Sequence, residues 1–269
     1  MPASEDLDAA REAVYGFLSL ACTDPRAERW SRLLEPSFQE LACAAAEFLA
    51  RHPACACGEP APGESPAEAL DLKPLVSHLA RPREEQVAEY ERIFGLLLSR
   101  ECPPCETEYC PQTFPVHRSQ KMADVAGFYN AFGLMPGTDA RERPDHIALE
   151  LEFMAWVVGM ERRARREPGE EGRGHAETCR DAQRKFVEEH LAWWVPAFAR
   201  ALARKAAGPP ELEDSSRIAE TLQGAVAGAL ASFIGIERAL LDIGPPGVLV
   251  SPKLSEPAGE GACSGCPPA

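Results

Sequence analysis

The chain of 269 residues carries 42 acidic and 28 basic side chains, which gives a formal net charge of −14. Hydrophobic residues make up 45% of the sequence, as in an ordinary globular protein long enough to bury a substantial core. Nucleic-acid-binding proteins present a basic stripe, and the sequence shows none, so we predict no nucleic-acid partner. An acidic surface is better suited to a cationic partner.

Export and membrane signals are not apparent in the sequence. The first eight residues are acidic and lack the basic start and apolar run of a signal peptide, so we expect a cytoplasmic protein. The most apolar stretch, residues 222–236, is interrupted by Gln223 and is too short to span a bilayer. We therefore predict a buried helix there and no membrane insertion.

Apolar residues recur at helical spacing along most of the chain. In the first predicted helix, Ala10, Val14, Phe17 and Ala21 form one stripe. In chain order, the pattern predicts helices over residues 5–22, 27–52 with a break near Pro36, 65 onwards, 83–99, 118–132, 144–166, 176–206 with a bend or break at Pro196, and 214–242. Four prolines and three cysteines in residues 101–115 predict an ordered loop.

No strand pattern and no internal repeat stands out, which argues against a nucleotide-binding fold built on a parallel sheet. We predict an all-α fold in which residues 1–244 form a single helical-bundle domain. Residues 245–269 are rich in proline and glycine, and we predict that this tail is disordered.

Motifs for catalysis are missing from the sequence. It contains no glycine-rich phosphate loop, no nucleophile elbow and no HExxH zinc motif. None of the six histidines has an acid three residues before it, as a di-iron helical bundle requires. We therefore expect a binding protein and not an enzyme, with an enzyme of unknown reaction as the alternative.

The most informative segment runs from Glu142 to Met154. A proline followed by an acid suits a helix start, because the acid lies at the positive end of the helix dipole. His146 lies at the edge of the apolar stripe of this helix, and Glu150 lies one turn further along the same face. From the residues alone, both a capped helix with a solvated His146/Glu150 pair and a binding site remain open.

The run Glu142-Arg143-Pro144-Asp145-His146-Ile147, followed by Glu-Leu-Glu-Phe-Met, resembles the signature of the TorD/DmsD/NarJ family of redox-enzyme maturation chaperones. Segments similar to other family motifs follow the family's order along residues 8–241. They are an opening helix with Tyr15, an aromatic helix end at 90–95, a Pro-rich loop with Glu-x-x-Tyr at 104–109 and a His-Leu-x-x-Trp-x-Pro junction at 186–196.

This resemblance implies an all-helical cytoplasmic protein that works by binding. Such chaperones recognise the twin-arginine signal peptide, or another N-terminal segment, of an apo catalytic subunit. The implied client is a molybdenum oxidoreductase of the dimethyl-sulfoxide-reductase type, held until its molybdenum cofactor is inserted and so kept from premature export. No permanently bound cofactor is implied for the chaperone itself. Within the family, the open alternative is a client that is not exported.

Carried over position by position, the resemblance implies a client-binding patch of Glu142, Pro144, Asp145 and His146, extended by Glu150, Glu106, Tyr109 and Tyr15. Asp145 and Glu142 would offer carboxylates to the guanidinium groups of the client. Apolar rows beside them would take the hydrophobic part of the signal peptide as a helix in a groove. For Tyr109, a buried aromatic ring is the alternative.

Two CxxC pairs depart from the usual family pattern. Cys102 and Cys105, with Cys263 and Cys266, would together supply four thiolates to a zinc ion, although 157 residues separate the pairs. The alternative is two independent turns with reduced thiols. A zinc-binding or thiol-redox protein that uses these pairs is therefore the alternative to the chaperone interpretation from another class of protein.

Overall fold

The computed structural model describes residues 2–55, 59–95, 99–111, 115–135, 142–208 and 221–252. Within these ranges the chain is helical and forms no β-strand, which confirms the predicted all-α class. The α-helices are α1 (Pro2–Ala21), α2 (Pro36–Arg51), α3 (Lys73–Leu79), α4 (Arg83–Phe94), α5 (Pro115–Ala131), α6 (Ile147–Arg166), α7 (Glu170–Phe186), α8 (Val195–Ala207) and α9 (Leu222–Leu240). Short 3-10 helices cover Glu28–Leu34, Ala67–Ala69 and Glu106–Tyr109, and Val187–Leu191 forms a π-helical turn.

Helix α9 is the most deeply buried helix of the bundle. It packs mainly against α8, while α1 packs against α6 and α2, and α6 packs against α7. Apolar residues on nearly every side of α9 are buried, as expected for a helix without a polar face. Among the described residues, no helix combines the length and apolarity that a membrane crossing requires.

A buried ion-pair network ties α1 to α9. Arg11 donates from Nε and Nη2 to the two carboxylate oxygens of Glu237, each at 2.7 Å, and from Nη1 to Asp8 at 3.1 Å. The Tyr15 hydroxyl donates to Glu237 at 2.9 Å. Burial opposes the charge on Arg11, but the Glu237 carboxylate outweighs it and raises the pKa of the guanidinium. Arg165 also pairs with Asp8, so the two carboxylates in contact with Arg11 are matched by two guanidinium groups.

Several helix boundaries differ from the sequence prediction. The helix predicted from residue 65 is only the 3-10 turn at 67–69, and the predicted capping box is not formed, since the N-cap position is Pro66 and makes no side-chain hydrogen bond. The helix predicted over 83–99 ends at Phe94, because Gly95 adopts a positive φ of 73° that stops the helix. The helix predicted from Pro144 begins at Ile147.

The long pattern over residues 176–206 is divided, as predicted, but the division covers residues 187–194 and is not confined to Pro196. Helix α7 ends at Phe186, the π-helical turn follows, and α8 begins at Val195. Pro196 is the second residue of α8, where its missing N–H leaves no hydrogen bond unmade. The interruption turns His190 and Trp193 toward the loop at residue 106.

The last described residues follow α9 as irregular chain. Residues 245–252 form no helix, and Leu249 and Val250 pack against the core. The rest of the tail, including Cys263 and Cys266, lies outside the described residues.

Replacing Glu237 by glutamine removes the carboxylate that neutralises buried Arg11. We expect the free energy of unfolding to fall by up to about 3 kcal/mol, because Asp8 is then the only carboxylate in contact with buried Arg11 among the described residues and compensates its charge in part. Urea unfolding of the two proteins measures this difference. Glu5→Gln, which breaks the exposed pair between Glu5 and Arg166, is the matched control and should change stability little. Equal effects of the two substitutions would contradict a structural role for the buried network.

Candidate functional site

Two segments that are distant in sequence lie side by side at the start of α6. The Glu106 amide donates to the Asp145 carbonyl at 2.9 Å, and the Ile147 amide donates to the Pro104 carbonyl at 2.9 Å. Cys105 and His146 pair as an isolated antiparallel β-bridge. The Pro-rich loop at residues 99–111 is thereby attached to the residues that precede α6.

The carboxylate of Asp145 is the centre of this contact. It is fully buried and accepts from the Thr107 amide at 3.1 Å and from the Thr107 hydroxyl at 2.8 Å. Arg143 donates to both of its oxygens, from Nε at 2.9 Å and from Nη2 at 2.8 Å, and from Nη1 to Glu108 at 3.0 Å. Such bidentate, charge-assisted bonds are among the strongest in proteins. We call Asp145, Arg143, Thr107 and Glu108 the Asp145 clamp.

The clamp changes how the predicted patch can act. In this conformation the carboxylate of Asp145 is occupied by the chain's own arginine, so a client guanidinium would have to displace Arg143. Glu142 is partly exposed and lies 3.7 Å from the guanidinium of Arg29. The carbonyl of half-buried Pro144 accepts from the Tyr129 hydroxyl at 2.9 Å. Direct client contact through Glu142, Pro144 and Asp145 stays a prediction.

His146 is the N-cap of α6. Its Nδ1 accepts from the Ala148 amide at 3.2 Å, so this nitrogen carries no proton. Burial lowers the pKa of His146 to about 4, which keeps the ring neutral at the start of the helix. The solvated His146/Glu150 pair considered above is wrong, because both side chains are buried.

Glu106 is the centre of a second buried polar group. Its carboxylate lies 3.1 Å from Nδ1 of His190, accepts from the Trp193 indole at 3.0 Å and lies 3.6 Å from Nζ of Lys121. Burial raises the pKa of Glu106, and the bond to His190 and the charge of Lys121 offset part of this rise. We call Glu106, His190, Trp193 and Lys121 the Glu106 cluster.

Glu150 and Tyr109 lie behind the Glu106 cluster, around Trp194. Glu150 is fully buried and accepts from the Trp194 indole at 3.2 Å. Burial, followed by the negative charges of Glu106 and Asp145, raises the pKa of Glu150 well above its usual range. The Tyr109 ring is 5.2 Å from that of Trp194, and its side chain is buried, which is the alternative considered for this residue.

Tyr15 is not brought to this site. Its side chain is fully buried and its hydroxyl is bonded to Glu237 of α9. The predicted patch therefore divides into a clamp and a buried cluster around the loop at 99–111, with Tyr15 apart in the α1–α9 contact.

A groove opens beside the Glu106 cluster, between α5 and the π-helical turn. Its volume is about 450 Å³. Lys121 and Trp193 line it, together with the exposed acidic residues Asp124, Glu188 and Glu189. Sequence reasoning missed this groove and six of the eight residues that form the Asp145 clamp and the Glu106 cluster, since it assigned only Asp145 and Glu106 to the site. An isolated lysine such as Lys121 carries no motif, and Arg143 and Thr107 stood inside motifs without an assigned role.

The first CxxC pair is inside the protein. Cys102 and Cys105 are buried, and burial raises the pKa of both thiols. A redox-active cysteine needs the thiolate, so this environment is unfavourable for thiol chemistry. Within the described ranges, no group of three or more His, Cys, Asp or Glu side chains is arranged so that it could hold a metal ion. Since Cys263 and Cys266 lie outside those ranges, the four-thiolate zinc site stays a prediction.

Comparison with known proteins places this arrangement in a family. The model of the nitrate reductase delta subunit family matches residues 62–200, which is just over half of the chain. The match contains the Asp145 clamp, the Glu106 cluster and the groove. The chain therefore belongs to this family, and the resemblance to the TorD/DmsD/NarJ maturation chaperones is confirmed.

Three curated relatives are similar over shorter regions. The selenate reductase assembly chaperone protein of Thauera selenatis is 42% identical over 81 residues, and the chlorate reductase assembly chaperone protein of Ideonella dechloratans is 40% identical over 81. Each match covers 30% of this chain and 39% of the relative. The perchlorate reductase assembly chaperone protein of Dechloromonas aromatica is 30% identical over 91 residues, 34% of this chain and 38% of the relative. The matches thus span about two fifths of these relatives. No solved structure matches the chain.

Acidification tests the assignment of His146. Its folded pKa is about 4 and its ordinary value is 6.5, so the unfolded chain takes up a proton first. This contribution to stability is therefore full above about pH 6.5 and is lost as the pH falls toward 4, by about 2 kcal/mol between roughly pH 7 and pH 5. His146→Asn keeps an N-cap acceptor but does not titrate. Urea unfolding of the variant should show a pH dependence smaller by that amount, and identical pH profiles would exclude a buried neutral His146.

Proposed function

We propose that the chain is an assembly chaperone for a molybdenum oxidoreductase of the dimethyl-sulfoxide-reductase type. It binds the N-terminal segment of the apo catalytic subunit in the cytoplasm, twin-arginine signal included, and holds the subunit until the molybdenum cofactor is inserted. The observation that carries this proposal is the family match over residues 62–200, which contains the whole site. The names of the three relatives, all reductase assembly chaperones, support it.

The geometry of the site favours binding over catalysis. Glu106 and His190 are hydrogen-bonded like an acid–base pair, but both are buried behind Trp193 and Lys121, where no substrate reaches them. Burial raises the pKa of the Cys102 and Cys105 thiols, so the reactive thiolate form is disfavoured. The accessible feature beside them is a groove with acidic walls, which suits a cationic segment of another protein.

The clamp gives this binding surface its shape. A chaperone that recognises a short segment benefits from a preformed surface, because less ordering entropy is lost on binding. Asp145 holds the loop at 99–111 against α6, and the loop supplies Glu106, which bonds to the π-helical turn through His190 and Trp193. The π-helical wall of the groove is thus connected to the clamp through hydrogen bonds, and the α5 wall is connected to Glu106 through the ion pair of Lys121.

Co-expression with the molybdenum oxidoreductase subunit of the same organism tests the proposal. With the chaperone present, we expect the purified subunit to contain close to one molybdenum per chain, and without it markedly less. The apo subunit should co-purify with the chaperone, and the loaded subunit should not. Equal molybdenum content with and without the chaperone, and no complex, would contradict the proposal. Replacing the two signal arginines by lysine distinguishes the exported client from the non-exported alternative. For an exported client, the replacement should weaken complex formation. For a non-exported client, complex formation should be insensitive to it.

A further inference from the structure

A cation is already bound at the inner end of the groove, and the chain itself supplies it. Nζ of Lys121 donates to the Glu189 carbonyl at 2.7 Å and lies 3.6 Å from the buried carboxylate of Glu106. The same ammonium lies 5.8 Å from the centre of the Trp193 ring, within the range of a cation–π contact. A buried carboxylate, a carbonyl and an indole face together form a site that favours positive charge.

The lining of the groove carries more negative charge than the ammonium group of Lys121 neutralises. Asp124 lies one turn beyond Lys121 on α5, and Glu188 and Glu189 lie opposite, on the π-helical turn. All three side chains are exposed, and within the described part of the chain none of the three carboxylates is in an ion pair. The lining thus has three carboxylates against one lysine ammonium, so a second cation is favoured and an anion is repelled.

Among cations, the lining selects for a guanidinium group. Its planar face stacks on an aromatic ring such as Trp193, and its edge donates two parallel hydrogen bonds to a carboxylate. An arginine also loses less hydration than a lysine when it enters a groove. The lining of the groove contains the Trp193 indole and carboxylates from both α5 and the π-helical turn, which matches both properties.

We propose that this groove binds an arginine side chain of the client's N-terminal segment, between Trp193 and the carboxylates of Asp124, Glu188 and Glu189. This inference rests on the proposed function and adds the place and the chemistry of recognition. The arginine takes the outer position, next to Lys121, while the Asp145 clamp and the Glu106 cluster hold the walls from inside.

The test uses a labelled synthetic peptide with the N-terminal sequence of the reductase subunit, including its two adjacent arginines, and a second peptide with both arginines replaced by glutamine. Fluorescence anisotropy measures the affinity of the full chain for each. Asp124→Asn/Glu188→Gln should weaken binding of the arginine peptide about tenfold and leave the glutamine peptide unchanged, because exposed charge pairs each contribute up to about fivefold.

The matched control is Glu177→Gln/Asp181→Asn, which makes the same charge change on the exposed face of α7, away from the groove lining. It should bind the arginine peptide as the unchanged chain does. If the groove variant and the control bind equally well, the groove inference is wrong while the proposed function stands. If the unchanged chain binds neither the peptides nor the full-length apo subunit, the proposed function itself is wrong.

A third peptide, with both arginines replaced by glutamate, decides between a cationic and an anionic occupant. If the groove takes an arginine, the unchanged chain should bind the glutamate peptide no more tightly than the glutamine peptide, because the exposed carboxylates of the lining repel it. Tighter binding of the glutamate peptide than of the glutamine peptide would mean that Lys121 attracts the ligand, and would overturn the inference in favour of an anionic group.

Discussion

The buried carboxylate of Asp145 is the interaction on which the site depends. It bonds to Thr107, 38 positions earlier in the chain, and holds Arg143 in a bidentate pair. Without it, the Pro-rich loop would be attached to α6 by neutral backbone hydrogen bonds and by the ion pair between Glu108 and Arg143, and Arg143 would lose the carboxylate that holds its guanidinium in place. The position of Glu106, and of the groove wall that it anchors through Trp193, follows from this contact.

Burial of acidic groups gives the site its electrostatic character. Glu106 and Glu150 lie inside the bundle with raised pKa values, and the groove above them carries exposed carboxylates. Lys121 is the basic side chain that reaches both the buried and the exposed part. This arrangement favours binding of positive charge, in agreement with a chain whose formal net charge is −14.

The sequence was sufficient for the helices but not for the site. Helix periodicity is a local property, so the stripe of α1 and the burial of α9 could be predicted from spacing alone. The roles of Asp145 and Glu150 could not be predicted in this way, because they depend on partners that are distant in sequence. Asp145 bonds to Thr107, and Glu150 bonds to Trp194. Family resemblance directed attention to the segment from Glu142 to Met154, and most of the residues that it assigned to client contact are buried in the structure. The groove depends on a turn between α7 and α8 that no residue pattern specified beyond Pro196.

The most direct measurement is amide hydrogen exchange of Asp145→Asn, combined with its affinity for the apo reductase subunit. Loss of the charge-assisted bonds should cost about 1.5–3 kcal/mol locally, so exchange of the Thr107 and Glu106 amides should accelerate roughly ten- to a hundred-fold. We expect the affinity of Asp145→Asn for the apo subunit to be lower than that of the unchanged chain. The exchange rates of the α9 amides should stay unchanged. A freely exchanging loop combined with undiminished client affinity would contradict the central role of the Asp145 clamp.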